Sequence, residues 1–101
     1  MDSQIKYDFN LSSSVAGNLE EIAAAIDKGI IKCADEDITL ISNAWQSDAA
    51  ESFIMKYKKL LEEIKNTKNE IIDETEQIKK VSRHMFLIEQ KAKQIADEKG
   101  Q

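Results

Sequence analysis

Side chains that could do acid–base, nucleophilic or metal chemistry are sparse in this chain: it has one histidine, His84, and one cysteine, Cys33. A catalytic imidazole needs a second group to orient it and a substrate-side partner to exchange its proton with. A zinc site or an activated nucleophile needs His, Cys and acidic residues converging at short spacing. The sequence offers no second His, no paired Cys and no glycine-rich phosphate loop. Its carboxylates are numerous but interleaved with lysines, so pairs such as Glu70/Glu74 and Asp73/Glu76 read as solvated helix faces. His84, between Val81 and Met85, is expected part-exposed on a helix flank. Cys33, beside Ile30, Ile31 and Ala34, reads as a small core residue, with an interchain bridge as the other use open to a lone thiol. The expectation is a protein that is not an enzyme and uses no metal or cofactor.

That leaves recognition. The only tryptophan, Trp45, lies in NAWQSDAAESF, residues 43–53, where one helical pattern stops and another starts. Two uses suit it: packing against Phe53 and a neighbouring helix, or display of a large aromatic for docking.

The elements that must position this stretch are helical. The chain has 101 residues, no proline, and only Gly17, Gly29 and Gly100 as glycines. Proline breaks helices and glycine weakens them, so long uninterrupted helix is favoured. No apolar run approaches the ~20 residues that cross a bilayer. The opening MDSQIKYDFN lacks the apolar stretch of a secretory signal, so any export is expected to be leaderless. A net charge of −5 argues against nucleic acid, and the short basic cluster Lys56, Lys58, Lys59 sits next to Glu62 and Glu63.

A first helix is predicted over about 11–42, led by an extended or frayed segment carrying Ile5, Tyr7 and Phe9 and capped by Ser12, Ser13 or Ser14. Its apolar stripe runs Val15, Leu19, Ile22, Ile26, Ile30, Ala34, Ile38, Ile41. Consecutive steps of four make that stripe drift around the helix. A turn is predicted at about 43–47, from Ser42-Asn43 and Ser47-Asp48, with Asp48 and Glu51 spaced as a capping box. The second helix, about 48–97, repeats with steps of three and four: Tyr57, Leu60, Ile64, Thr67, Ile71, Glu74, Ile78, Val81, Met85, Ile88, Ala92, Ile95. Phe53 packs at its start, and Ile54, Leu61, Ile72 and Phe86 widen the stripe beyond a two-stranded seam.

The chain therefore reads as one all-α domain over 1–101, an antiparallel two-helix hairpin. Two helices make one interface, too little for two broad stripes without a staple. Pairing of hairpins into a four-helix bundle, as a homodimer or with another helical-hairpin protein, is the expected remedy.

The stretch Trp45-Gln46-Ser47, followed by Ala49, Ala50 and Phe53 on a helical hairpin of this length, resembles the WXG family of small type VII secretion substrates, akin to the early secreted antigenic target. The family hallmark is Trp-X-Gly in the interhelical turn; here Ser47 replaces the glycine. A glycine there allows positive φ, whereas a turn with ordinary φ accepts serine, which can also cap the next helix. The resemblance implies a secreted protein with a cytoplasmic pool before export, recognised by a type VII secretion ATPase. It also implies a bipartite export signal, an aromatic four residues before an acid near the end of the second helix. By distance from Trp45 those positions are Met85 and Glu89, with Met in place of the aromatic. Two other roles remain open at this stage: a cytosolic targeting partner for a larger secreted toxin, and a structural coiled-coil segment.

Overall fold

The structure, a computed structural model, describes residues 6–100. Helix α1 spans Phe9–Ala25, a π-helical segment spans Ile26–Ile31, α2 spans Lys32–Ala44, and α3 spans Asp48–Lys99. No strand occurs among the described residues. α1, the π-segment and α2 form one continuous arm, and α3 runs back along it: Asp27 pairs with Lys68 and Glu20 with Lys79.

The first arm starts earlier than its serines suggest. Asp8 is the N-cap, its carboxylate accepting from the Leu11 N–H at 2.9 Å. The early start places Phe9 on the helix, edge-on to Phe86 across the hairpin at 6.3 Å and to Tyr7 at 4.8 Å. The Tyr7 and Ser82 hydroxyls share a hydrogen bond of 2.8 Å. Tyr7 and Phe9 are thus docked rather than frayed, because burying two rings against α3 outweighs the cost of ordering the segment. Ile5 lies outside the described residues.

The π-segment resolves the drift of the first stripe. The inward positions run Ala16, Leu19, Ala23, Ile26, then Ile31, Ala34, Ile38, Ile41. The step of five between Ile26 and Ile31 falls on the π-turn, where one extra residue is absorbed. It resets the stripe so that both halves keep steps of three and four against α3. In consequence Ile31 is 7% exposed while Ile30 is 51% exposed. Ile30 therefore leaves the inward stripe on which its spacing placed it. Cys33 turns outward with it and is an exposed free thiol rather than a core residue.

On α3 the hairpin seam uses two columns of the heptad pattern. One is the expected Tyr57, Ile64, Ile71, Ile78, Met85, all half-buried. The other is Ile54, Leu61, Lys68, Thr75, Ser82, of which only Ile54 and Leu61 were expected, as a widening of the stripe. Leu61 packs with Ile31 and Ala34 as the buried cluster, and Ile26, Ile38, Tyr57 and Ile64 close around it. Thr75, at 2% exposure, satisfies its hydroxyl on the Ile71 carbonyl at 2.9 Å. The small residues Ala16, Ala23 and Ala34 let the helices approach closely.

The molecule is a rod of 82 × 20 × 18 Å with a radius of gyration of 23.2 Å. A compact domain of this length would have a radius of about 13 Å. Because α1 begins alongside Phe86, residues 87–99 of α3 run on for about 20 Å, exposed and without a partner helix among the described residues.

Candidate docking surface: the turn and the apolar face

The turn is built from three residues with extended or irregular backbone between α2 and α3. Trp45 ends α2, with φ −135° and ψ 108°, its N–H donating to the Ile41 carbonyl at 2.9 Å. Ser47 begins α3 from an extended conformation, φ −166° and ψ 165°. Its hydroxyl accepts from the Ala50 N–H at 3.1 Å, and its carbonyl from the Glu51 N–H at 3.0 Å. Serine is therefore the cap, and Asp48, the expected capping residue, is instead the first residue of the helix. Asp48 and Glu51 keep their favourable place, two carboxylates in the first turn where the helix end is positive. No described residue has positive φ, so serine occupies this turn position without backbone strain.

Trp45 is 47% exposed and Phe53 45% exposed, with ring centroids 6.4 Å apart and tilted by 47°. Phe53 continues the ladder to Tyr57 at 6.0 Å. Trp45 thus packs on Phe53 and still leaves nearly half of its surface in solvent. Gln46 is exposed beside it.

Met85 and Glu89 lie near the far end of α3, Met85 half-buried on the seam and Glu89 exposed on the overhang. One helical turn separates them, so they share a side of the helix. Forty residues of helix separate Met85 from Trp45, a span of about 60 Å. A single chain does not bring the two groups together.

The two faces of the hairpin differ. One carries the ion pairs Asp27–Lys68 at 3.1 Å and Glu20–Lys79, with Ile72 and Phe86 exposed in the same column of α3 as Lys79. The hydrogen bond to the Glu20 carboxylate, with that carboxylate's charge, holds the Lys79 ammonium above its ordinary pKa. The other face is apolar. Leu11, Val15, Ile22 and Ile30 stand exposed along the first arm, and Leu60 and Val81 along α3. Shallow grooves run between them, one lined by Ile30, Cys33, Leu60 and Ile64, another by Leu11, Val15, Ile78 and Val81.

The seam residues expected from sequence divide accordingly. Leu19, Ile26, Tyr57, Ile64, Ile71 and Ile78 are half-buried within the hairpin. Ile22, Phe53, Leu60, Val81 and Ile88 stay exposed in the single chain, at 45–54%. The chain exposes 8292 Å², whereas a compact monomer of 11.5 kDa exposes roughly 5,800 Å². The difference, roughly 2,500 Å², is of the size that one partner buries in a large obligate interface.

Lys68, Thr75 and Ser82 were not visible as seam residues, because an apolar count passes over a polar side chain. Their only signal was the seven-residue step from Leu61. Among the described residues no group of three or more His, Cys, Asp and Glu side chains could hold a metal ion. His84 is exposed. No helix among the described residues is long and apolar enough to cross a membrane. No family model, curated protein or solved structure matches the chain.

Proposed function

We propose that this chain is a WXG-like substrate of a type VII secretion system, a non-enzymatic helical hairpin that works as a dimer and is exported by that system. The observation that carries this reading is Trp45, held half-exposed on a rigid turn between two helices. A large aromatic displayed there offers much contact area with few rotors to freeze, which suits docking. Ser47 supports it too, since its extended backbone lets serine stand where the family has glycine. The export ATPase is the proposed recipient of that surface, with Glu89 and Met85 as the second half of the signal. Their distance from Trp45 in one chain fits a signal assembled from two chains, the turn of one beside the α3 end of the other.

A second reading is favoured by the breadth of the apolar face: a cytosolic targeting partner that covers the helical N-terminus of a larger secreted toxin. The test is export from a Gram-positive host with an active type VII system, comparing culture supernatant with cell pellet. On the leading reading the chain appears in the supernatant, and Trp45→Ala and Glu89→Ala each reduce it sharply while the purified variants stay folded. A chain retained in the pellet until a toxin is co-expressed would establish the second reading instead. Normal secretion of a folded Trp45→Ala chain would remove Trp45 from recognition.

A further inference from the structure

The exposed residues of α3 carry a symmetry along the helix that specifies how a second copy would sit. Two columns of α3 face the apolar side: the half-buried Tyr57, Ile64, Ile71, Ile78, Met85, and the exposed Phe53, Leu60, Thr67, Glu74, Val81, Ile88. Read outward from Ile71 in both directions, the first column meets Ile64 and Ile78, then Tyr57 and Met85. The second column is centred half a residue away, between Glu70 and Ile71, and outward from there meets Thr67 and Glu74, then Leu60 and Val81, then Phe53 and Ile88. Like lies opposite like at every step.

We infer that the apolar face is covered by a second copy of this chain, with α3 packed antiparallel on α3 about a two-fold axis at Ile71. This rests on the dimer reading above and adds its register. In such a pair Ile71 meets Ile71 of the second copy, Leu60 meets its Val81, and Phe53 meets its Ile88. Thr67 and Glu74, the two polar members of the exposed column, meet each other instead of an apolar partner. An isologous interface requires this self-complementarity, in which residue i meets j and j meets i.

Registers one heptad away lose the match. Centring on Glu74 sets that carboxylate against its own copy and Thr67 against Val81. Centring on Thr67 sets Glu74 against Leu60. A buried, unpaired or like-charged carboxylate is costly, so the exposed column, more than the uniformly apolar one, selects the register. The same register finds a use for the overhang. Residues 87–99, exposed along the described hairpin, reach the turn of the second copy, with Ala92 opposite Ala49 and Ile95 beside Trp45. The single hairpin exposes roughly 2,500 Å² more than a compact chain of its mass, enough surface to supply one side of a large interface.

Cysteine cross-linking tests the register. In a Cys33→Ser background, three full-length variants are oxidised: Thr67→Cys, Glu74→Cys, and the two together. Both sites are exposed in the single chain, so neither change disturbs the hairpin core. Seven residues apart on one helix, their Cα atoms stand about 10 Å apart, beyond the ~7 Å that a disulfide spans, so any bond formed joins two chains. Light scattering on the reduced proteins gives the mass independently. The expected result is a dimer by scattering, with most of the double variant at twice the chain mass on a non-reducing gel and both single variants at chain mass. A monomer by scattering would overturn the dimer reading and the register with it. A dimer in which either single variant links to itself, or in which the double variant does not link, would overturn the register and leave the dimer standing.

Discussion

Trp45 and Phe53 stand 6.4 Å apart across the turn that Ser47 caps, each with close to half of its side chain in solvent. An aromatic buried in a core would be surrounded on all sides; these two pack on each other and present their remaining surface outward. The turn is therefore tied by the Ser47 cap and the ring pair while both rings keep an outward surface in solvent.

Loss of Trp45 should cost little stability. Trp45→Ala is expected to lower the unfolding free energy by ~1–2 kcal/mol, against the ~3–5 kcal/mol for truncating a fully buried aromatic. Urea denaturation followed by circular dichroism reads the difference. A loss in the higher range would place Trp45 in the core.

Ser47 should matter through its hydroxyl. Removal of an N-cap acceptor costs ~0.5–2 kcal/mol as alanine and only a few tenths as glycine. Ser47→Ala should therefore destabilise the chain measurably, and Ser47→Gly, which installs the glycine of the WXG motif, should come close to neutral. A Ser47→Ala variant as stable as the parent would mean that the bond from the Ala50 N–H contributes nothing.

The π-turn should be visible in neighbouring isoleucines. Ile31→Ala empties a buried site beside Leu61 and Ala34 and should cost ~2–5 kcal/mol. Ile30→Ala removes a side chain that the single hairpin leaves half in solvent and should cost clearly less. An uninterrupted α-helix through this segment would narrow or reverse that order, and the paired melting temperatures decide it.

The two faces should respond oppositely to charge. Leu60→Asp puts a carboxylate in the centre of the apolar face and should shift the chain to monomer in light scattering, with a large loss of stability from the lost association. Lys58→Asp, an exposed change away from that face, should leave mass and melting within about 0.5 kcal/mol of the parent. A dimer unmoved by Leu60→Asp would mean that another surface holds the copies together.

Much of this architecture was legible because the helical signals are strong. The absence of proline and the three-four repeat from Tyr57 to Ile95 marked α3 to within a few residues of its observed end. The turn was legible from Ser, Asn and Asp clustered around Trp45. What escaped has specific causes. Runs of four-residue steps through Ile22, Ile26, Ile30 and Ala34 reveal that a stripe drifts but not where the backbone corrects it, so Ile30 and Cys33 read as part of the core that Ile31 and Ala34 occupy. Asp8 competed unnoticed with three consecutive serines as the first cap, since the value of starting earlier lies in contacts of Tyr7 and Phe9 made far along the chain. Both residues of Ser47-Asp48 are good caps, and only backbone geometry separates them. The candidate site was legible as a location, Trp45 in the turn, whereas the apolar face that flanks it depends on which columns of α3 the first arm covers.

The central claim is that this hairpin completes its core by association, and melting across a dilution series tests it most directly. For a dimer, folding and association are linked by mass action, so a hundredfold dilution removes ~2.7 kcal/mol and should lower the melting temperature by roughly 5–10 °C. A cooperative transition that keeps the same midpoint from the highest to the lowest concentration, with monomer mass throughout, would contradict it.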